Sequence, residues 1–436
     1  MTTTTLAPSP STPAAGVLAS LALATLLPSL AISSANMALP TLATAFDTGQ
    51  AAAQWVVLAY LLATTTLIVS AGRLGDLLGH RRVLLAGMAL FTGASVLCAL
   101  APSLPLLLAA RALQGAGAAA MMALTMALVG AALPKARAGS AMGLLGAMSA
   151  VGTALGPSLG GLLIAAFGWQ AVFAINLPLG LLALVLAWRC LPPDREARGT
   201  ARFDVAGMAW LALALSAYAL AMTWHVGLLA VAGLALMRFL RTEARAAQPL
   251  VSLERLREPT LAAGLAANAL VGAVMMATLV VGPFHLGGRL GLQAALVGAL
   301  MSVGPVLAAF SGLPAGRLVD RFGARRMATL GLVAMAAGCA AIALLPAALG
   351  AKAYVGPLVL VTPGYALFQA ANNTAVMSGV AAAQRGVVSG LLTLSRNLGL
   401  ITGASAMATL YAAGGLPLGF ALATALIAMA LALVRR

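Results

Sequence analysis

The chain has 436 residues, of which 62% are hydrophobic and only 8% charged, and its mean hydropathy is +1.03. A soluble protein needs about 25% charged residues to cover its surface, and disorder needs low hydrophobicity. Both are excluded, which leaves an integral membrane protein whose 25 basic and 9 acidic residues must be placed relative to its apolar runs.

Residues 1–16 contain no Lys or Arg, so no basic leader region is expected there, and the first apolar run should remain as an anchor. Runs of the ~20 residues that cross a bilayer place spans near 17–40, 54–71, 83–101, 105–133, 140–167 and 170–189. Two shorter spans follow near 205–223 and 226–240. Six more lie near 260–284, 293–316, 327–346, 354–379, 386–411 and 416–434. Fourteen crossings put both termini on one side. With that side cytoplasmic, 21 of the 25 bases fall in inside segments and only Arg289 and Lys352 outside, the asymmetry that orients membrane proteins. Arg111 and Arg396 are left within spans. The positive charge is thus a topology signal, and nucleic acid is not an expected partner.

Soluble chemistry finds no support. Cys98, Cys190 and Cys339 are far apart in or beside apolar runs, against a disulfide framework. His80, His225 and His285 fall in three different loops without ligand spacing, so no metal and no cofactor is expected. Neither Lys135 nor Lys352 sits in a phosphate-binding loop. The Gly156 to Gly160 stretch matches a hydrolase elbow by letters, but it lies inside an apolar helix with no base beside it. An enzyme is not expected.

The sequence repeats. The stretch 72-GRLGDLLGHRR-82 recurs as 316-GRLVDRFGARR-326, and Gly152 and Gly156 after Gly139 are echoed by Gly399 and Gly403 after Gly386. Two copies mean two homologous bundles, each with its marked loop between the second and third helix. Six helices per bundle leave about fifty residues for the extra pair. The expected layout is therefore a tail (1–16), a first bundle (17–190), two added helices with their linkers (191–259) and a second bundle (260–436). In the marked loops, glycine permits a sharp turn. Asp76 can there pair with the arginines or face the positive end of a neighbouring helix.

On these loops the chain resembles the major facilitator superfamily. Further stretches similar to its drug:proton antiporters with fourteen spans are 36-NMALP-40, 108-LAARALQGAGAAAM-121, 152-GTALGPSLGG-161, 168-GWQAVFAINLPLG-180, 368-FQAANNTAVM-377 and 395-SRNLGLITG-403. The resemblance implies an all-α, multi-pass transporter in a bacterial inner or plasma membrane. It would be a monomer in the lipid bilayer that exports a small-molecule substrate in exchange for protons. The same scaffold also suits a facilitator or importer, or a membrane sensor without turnover.

Candidate residues fall into three groups. The marked loops supply Gly72, Asp76, Gly79, Arg81 and Arg82, with Gly316, Asp320, Gly323, Arg325 and Arg326, expected to govern conformational exchange. Small residues four apart let helices approach closely, and a proline can bend a helix. The set Gly152, Gly156, Pro157, Gly160 and Gly161 is therefore expected to form a bend and a seal. Asn36, Arg111, Gln114, Gln369, Asn372, Asn373 and Arg396 are expected along the coupling and substrate path, since a cation deep in a span costs at least ~2.5 kcal/mol and faces a cavity or partner. Tyr60, Asn268 and Tyr365 are further polar candidates, and Met275 and Met276 suit an adaptable wall. Relatives commonly carry an Asp where this chain has Ala31, and all nine acids lie in loops or at span ends. A cavity with Arg and no acid should favour neutral, zwitterionic or anionic substrates over dications.

Overall fold

The computed structural model describes residues 14–133, 135–194, 204–223, 225–246 and 252–435. Most of the expected 1–16 tail, and residues 195–203 of the central linker, lie outside them. Ala and Leu are strong helix formers, and in lipid every backbone polar group must be bonded within the chain. Helices follow: α1 (Ala14–Ala45), α2 (Gln50–Leu78), α3 (His80–Ala99), α4 (Leu104–Ala132), α5 (Ala138–Phe167) and α6 (Asn176–Cys190). Next come α7 (Val205–Thr223) and α8 (Leu228–Glu243), then α9 (Pro259–Pro283), α10 (Val303–Phe322), α11 (Ala324–Leu344), α12 (Leu358–Ser378) and α13 (Arg385–Arg435). Backbone at Gly414 and Gly415 is non-helical, Gly415 having φ 66°, and it divides α13 into arms 385–413 and 416–435.

Ten helices among the described residues are long and apolar enough to cross a membrane. Of the others, α8 has only 16 residues, and α12 carries Gln369, Asn372 and Asn373. Two expectations need correction. The span expected at 293–316 is two helices, Ala294–Met301 and α10, the latter running on to Phe322. The marked loops are also not loops, because helix continues to Leu78 and resumes at His80, and likewise on either side of Gly323. A single residue reverses the chain each time, with φ of 107° at Gly79 and 87° at Gly323, a conformation open to glycine and costly for other residues.

Call the face on which α2 ends and α3 begins the loop side. One buried core there is shared: Leu21, Leu84, Met121 and Leu145 of the first half sit with Leu261, Met377, Val388 and Leu392 of the second. Towards the opposite face the halves have separate cores, one around Leu42, Val56, Leu107 and Phe173, the other around Val274, Tyr354, Phe368 and Phe420. Helices α7 and α8 join the shared core through Leu211, Leu215 and Phe239, and the Tyr218 hydroxyl bonds that of Thr402 on α13.

Glycine makes this one-sided union possible. A Cβ on Gly72 or on Gly386 would collide with the carbonyl of the other, so α2 and α13 touch backbone to backbone. The repeat does the same between α5 and α10, where Gly139 and Gly143 face Gly316 and Gly312. Gly143→Leu should therefore wedge the halves apart on the loop side, at the ~1–3 kcal/mol typical of overpacking. Thiol labelling of single cysteines placed on the loop side of α10 should rise severalfold. Gly161→Leu, whose added Cβ meets nothing within 4 Å, should leave labelling unchanged.

Candidate functional site

The two repeated aspartates are placed alike. Asp76, near the end of α2, accepts the backbone N–H of Gly386 at 2.8 Å and of Val387 at 2.9 Å. Those are the second and third residues of α13, in the other half. Asp320 on α10 accepts the N–H of Gly139 at 2.7 Å and of Ser140 at 2.8 Å, the second and third residues of α5, and also the Ser140 hydroxyl. Each half thus caps a helix of the other. A helix N-terminus leaves its first N–H groups unpaired and carries about half a positive charge, so a carboxylate satisfies both. The side chain of Asp76 is fully buried and lies 2.7 Å from His80 Nε2. Of the two partners open to Asp76 from sequence, the neighbouring helix end is the one taken.

A third carboxylate, in the linker just after the first bundle, repeats the pattern on α3. Asp194 accepts the N–H of Arg81 and of Arg82, both at 2.9 Å, and caps α3. Nothing in the sequence marks Asp194, since its partners lie more than a hundred residues away. The Arg81 guanidinium donates to the Trp188 carbonyl at the end of α6, and Arg325 likewise donates to the Arg435 carbonyl at the end of α13. The two arginines therefore hold the third helix of each half to its last.

Just above the shared core lies a cavity of about 50 Å³, room for a water or two rather than for the 300–1,000 Å³ of a drug-sized ligand. Thr25 of α1, Met122, Thr125 and Met126 of α4, and Met142 and Ser149 of α5 form one wall. Gln369 and Asn373 of α12, with Thr393 and Arg396 of α13, form the other. Gln369 Oε1, Asn373 Oδ1 and Arg396 Nε are buried and have no partner among the described residues, a cost of ~1–3 kcal/mol for each such group that a ligand or water would relieve. No acid lines this cavity.

The structure gathers only part of the expected path. Gln369, Asn373 and Arg396 meet on the wall, but Asn372 turns to the Gly264 carbonyl of α9 at 3.2 Å. Asn36 is exposed towards the other end of α1. Ala31 is buried in the shared core and does not line the cavity. Asn268 bonds the Leu392 carbonyl at 2.7 Å, Tyr60 reaches the Pro28 carbonyl, and Tyr365 and Met275 pack on the second core. The methionines on the wall are Met122, Met126 and Met142 instead, which sequence alone could not separate from packing residues.

Arg111 and Gln114 form a separate polar knot inside the first half. Arg111 is wholly buried; its Nε donates to the Val56 carbonyl at 2.9 Å and its Nη1 to Gln114 Oε1 at 2.5 Å. Gln114 in turn donates to Ser95 Oγ at 2.7 Å. The guanidinium lies 4.4 Å from the centre of the Tyr60 ring and 5.7 Å from that of Phe173, so dipoles and aromatic faces, with no carboxylate, offset its charge. The glycines of α5 pack on α1: an added Cβ would lie 2.6 Å from the Leu26 carbonyl at Gly152, strike Ser33 at Gly156, and sit 3.3 Å from the Ser34 carbonyl at Gly160. Pro157 lies in the same helix. Gly399 and Gly403 press equally on Ala269 and Ala273 of α9.

At the opposite face His285 is buried among Tyr354 and Tyr411, with ring centres 6.2 and 6.4 Å away. Burial, then the charge of Arg289, hold its imidazole below the usual histidine value.

Two repeated helical bundles around a seam cavity, joined by reciprocal helix caps, define a multi-pass membrane transporter rather than an enzyme. Residues 21–404 match the Major Facilitator Superfamily model, and the chain belongs to that superfamily. It is similar to the multidrug resistance protein Stp of Mycobacterium tuberculosis, 32% identical over 389 residues that cover 87% of this chain and 72% of Stp. It is also similar to the riboflavin transporter RibZ of Clostridioides difficile, 29% identical over 383 residues, 86% of this chain and 84% of RibZ. Among solved structures, the human organic anion transporter MFSD10 superposes with a TM-score of 0.75 at 18% identity, covering 98% of this chain and 100% of that one.

Asp76→Asn keeps an acceptor but removes the charge, which weakens the cap by ~1 kcal/mol or more. Transport by the variant should fall about tenfold while equilibrium substrate binding stays within threefold, and Asp320→Asn should act in the same direction with a smaller effect. Lost binding with unchanged exchange would contradict this. Arg111→Lys should fail for another reason: an ammonium cannot reach the Val56 carbonyl and Gln114 together while lying flat on Tyr60. Its purified form should melt several degrees below the parent, and Arg111→Gln should not restore stability.

Proposed function

We propose that this protein exports small molecules by alternating access in exchange for protons. It crosses the plasma membrane fourteen times as a monomer, with both termini in the cytoplasm. The inside bias of the basic residues supports that orientation, and it makes the loop side cytoplasmic. The observation that carries the reading is the seam cavity, whose two walls come from the two halves directly above the reciprocal Asp76 and Asp320 caps. In this reading the caps and the glycine contacts close the cytoplasmic side, and transport requires both to release together. Alternating access about a midplane site between repeats is the ordinary working of such architectures. Likeness to Stp favours export. The glycine set from Gly152 to Gly161 supports antiport through its resemblance to antiporter sequences.

The substrate class follows from charge. Gln369, Asn373 and Arg396 offer hydrogen bonds on the second wall, and no carboxylate faces them. A cation held ~8 Å from Arg396 at an effective dielectric of ~20 is repelled by about 2 kcal/mol. Neutral, zwitterionic and anionic compounds are therefore the cargo, with the three wall methionines adapting to their shape. With no acid lining the cavity, a proton exchanged in this reading is carried by a group outside it or by the substrate itself.

Efflux from proteoliposomes should exceed the no-gradient rate severalfold when a pH gradient is imposed, and equal rates would leave a facilitator. In the same assay a monoanion should be carried at least tenfold better than a dication of matched size. Arg396→Gln should narrow that gap from the anion side. Tight dication transport by the unmodified protein would refute the assignment of charge.

A further inference from the structure

A second cavity, about 580 Å³ in volume, opens on the loop side of α7 and α8, away from the seam. Arg238, Arg241, Thr242 and Arg245 of α8 line it, with Trp210 of α7 and Asp204 just before that helix. Intervals of three and four residues put the three arginines on one stripe of α8, rising ~10 Å along it. None of their guanidinium groups makes a hydrogen bond or ion pair with a described residue. Asp204 uses one oxygen on the Gly207 N–H at 2.8 Å to cap α7. It and Glu243, both beside Gly207, offset part of the positive charge and not all of it.

The same stripe turns apolar towards the middle of the helix. Leu234 and Val231, four and seven residues before Arg238, are 64% and 42% exposed, while the buried face of α8 is formed by Ala232, Ala235 and Phe239. A cationic ladder that passes into an exposed hydrocarbon stripe matches a molecule with an anionic head and an apolar tail. Trp210 adds the ring that favours the boundary between headgroups and hydrocarbon. A soluble anion would use the arginines but leave Leu234 and Val231 without purpose.

We propose that Arg238, Arg241 and Arg245 bind the headgroup phosphate of an anionic phospholipid, whose acyl chains run along Leu234 and Val231. Basic pockets between helices at the cytoplasmic surface are suited to such headgroups. The lipid thereby anchors the added pair beside α2 and α13, where Tyr218 already bonds Thr402.

Native mass spectrometry of the full-length protein in detergent, titrated with phosphatidylglycerol or phosphatidylcholine of equal chain length, tests this. The unmodified protein should retain phosphatidylglycerol about tenfold better. R241Q/R245Q should lose that preference, whereas R255Q/R257Q, which removes the same charge from the segment before α9, should keep it. If the first double variant fails to fold, R241Q alone should show a smaller but clear loss, and an unchanged preference would overturn the proposal. Equal retention of the two lipids, or equal losses in the two double variants, would also overturn it. So would complete displacement of phosphatidylglycerol by millimolar glycerol phosphate, which would mark a soluble-anion site.

Discussion

A carboxylate set on the N-terminus of a helix from the other half of the molecule is the contact on which this architecture turns. Asp76 and Asp320 each accept two consecutive backbone N–H groups, and these donors have no partner inside their own helices. Removed from water, such charge-assisted bonds are stronger than neutral ones. They are also local and few, which in the proposed transport cycle lets them break as a unit without unfolding either half. A seam held by many dispersed apolar contacts alone would lack that all-or-none character.

The glycines serve the same contact. Gly72 with Gly386, and Gly139 with Gly316, bring backbones together closely enough for each aspartate to reach the helix end beside it. The repeat makes the arrangement reciprocal, with the same helical positions capped in both halves. The symmetry is incomplete: Asp194 adds a cap on α3 through the N–H groups of Arg81 and Arg82, while Arg81 and Arg325 tie their helices alike to the Trp188 and Arg435 carbonyls.

Charge inside the membrane is handled in two ways. Arg111 is neutralised without an acid, by a carbonyl, the Gln114 amide and two aromatic faces, and this fixes α4 against α2 and α3. Arg396 is instead left at the seam with unpartnered polar neighbours. The first arrangement bonds two of the three guanidinium nitrogens within the first half and leaves Nη2 without a hydrogen-bond partner among the described residues. The second keeps hydrogen-bonding capacity for whatever enters the cavity.

The sequence by itself determined the membrane setting, the repeated motif and most helix positions. These depend on composition, on apolar runs and on spacing along the chain, all of which are one-dimensional quantities. It also singled out Asp76 and Asp320, because repetition at a fixed offset is visible in letters. The tertiary structure decided what these residues touch, since Gly386 lies 310 residues from Asp76 and Gly139 lies 181 from Asp320. It likewise separated Gln369 and Asn373, which face the seam, from Asn372 beside them, which turns to α9. A polar letter in a helix states what a side chain can bond, but the packing of neighbouring helices sets the direction in which it points.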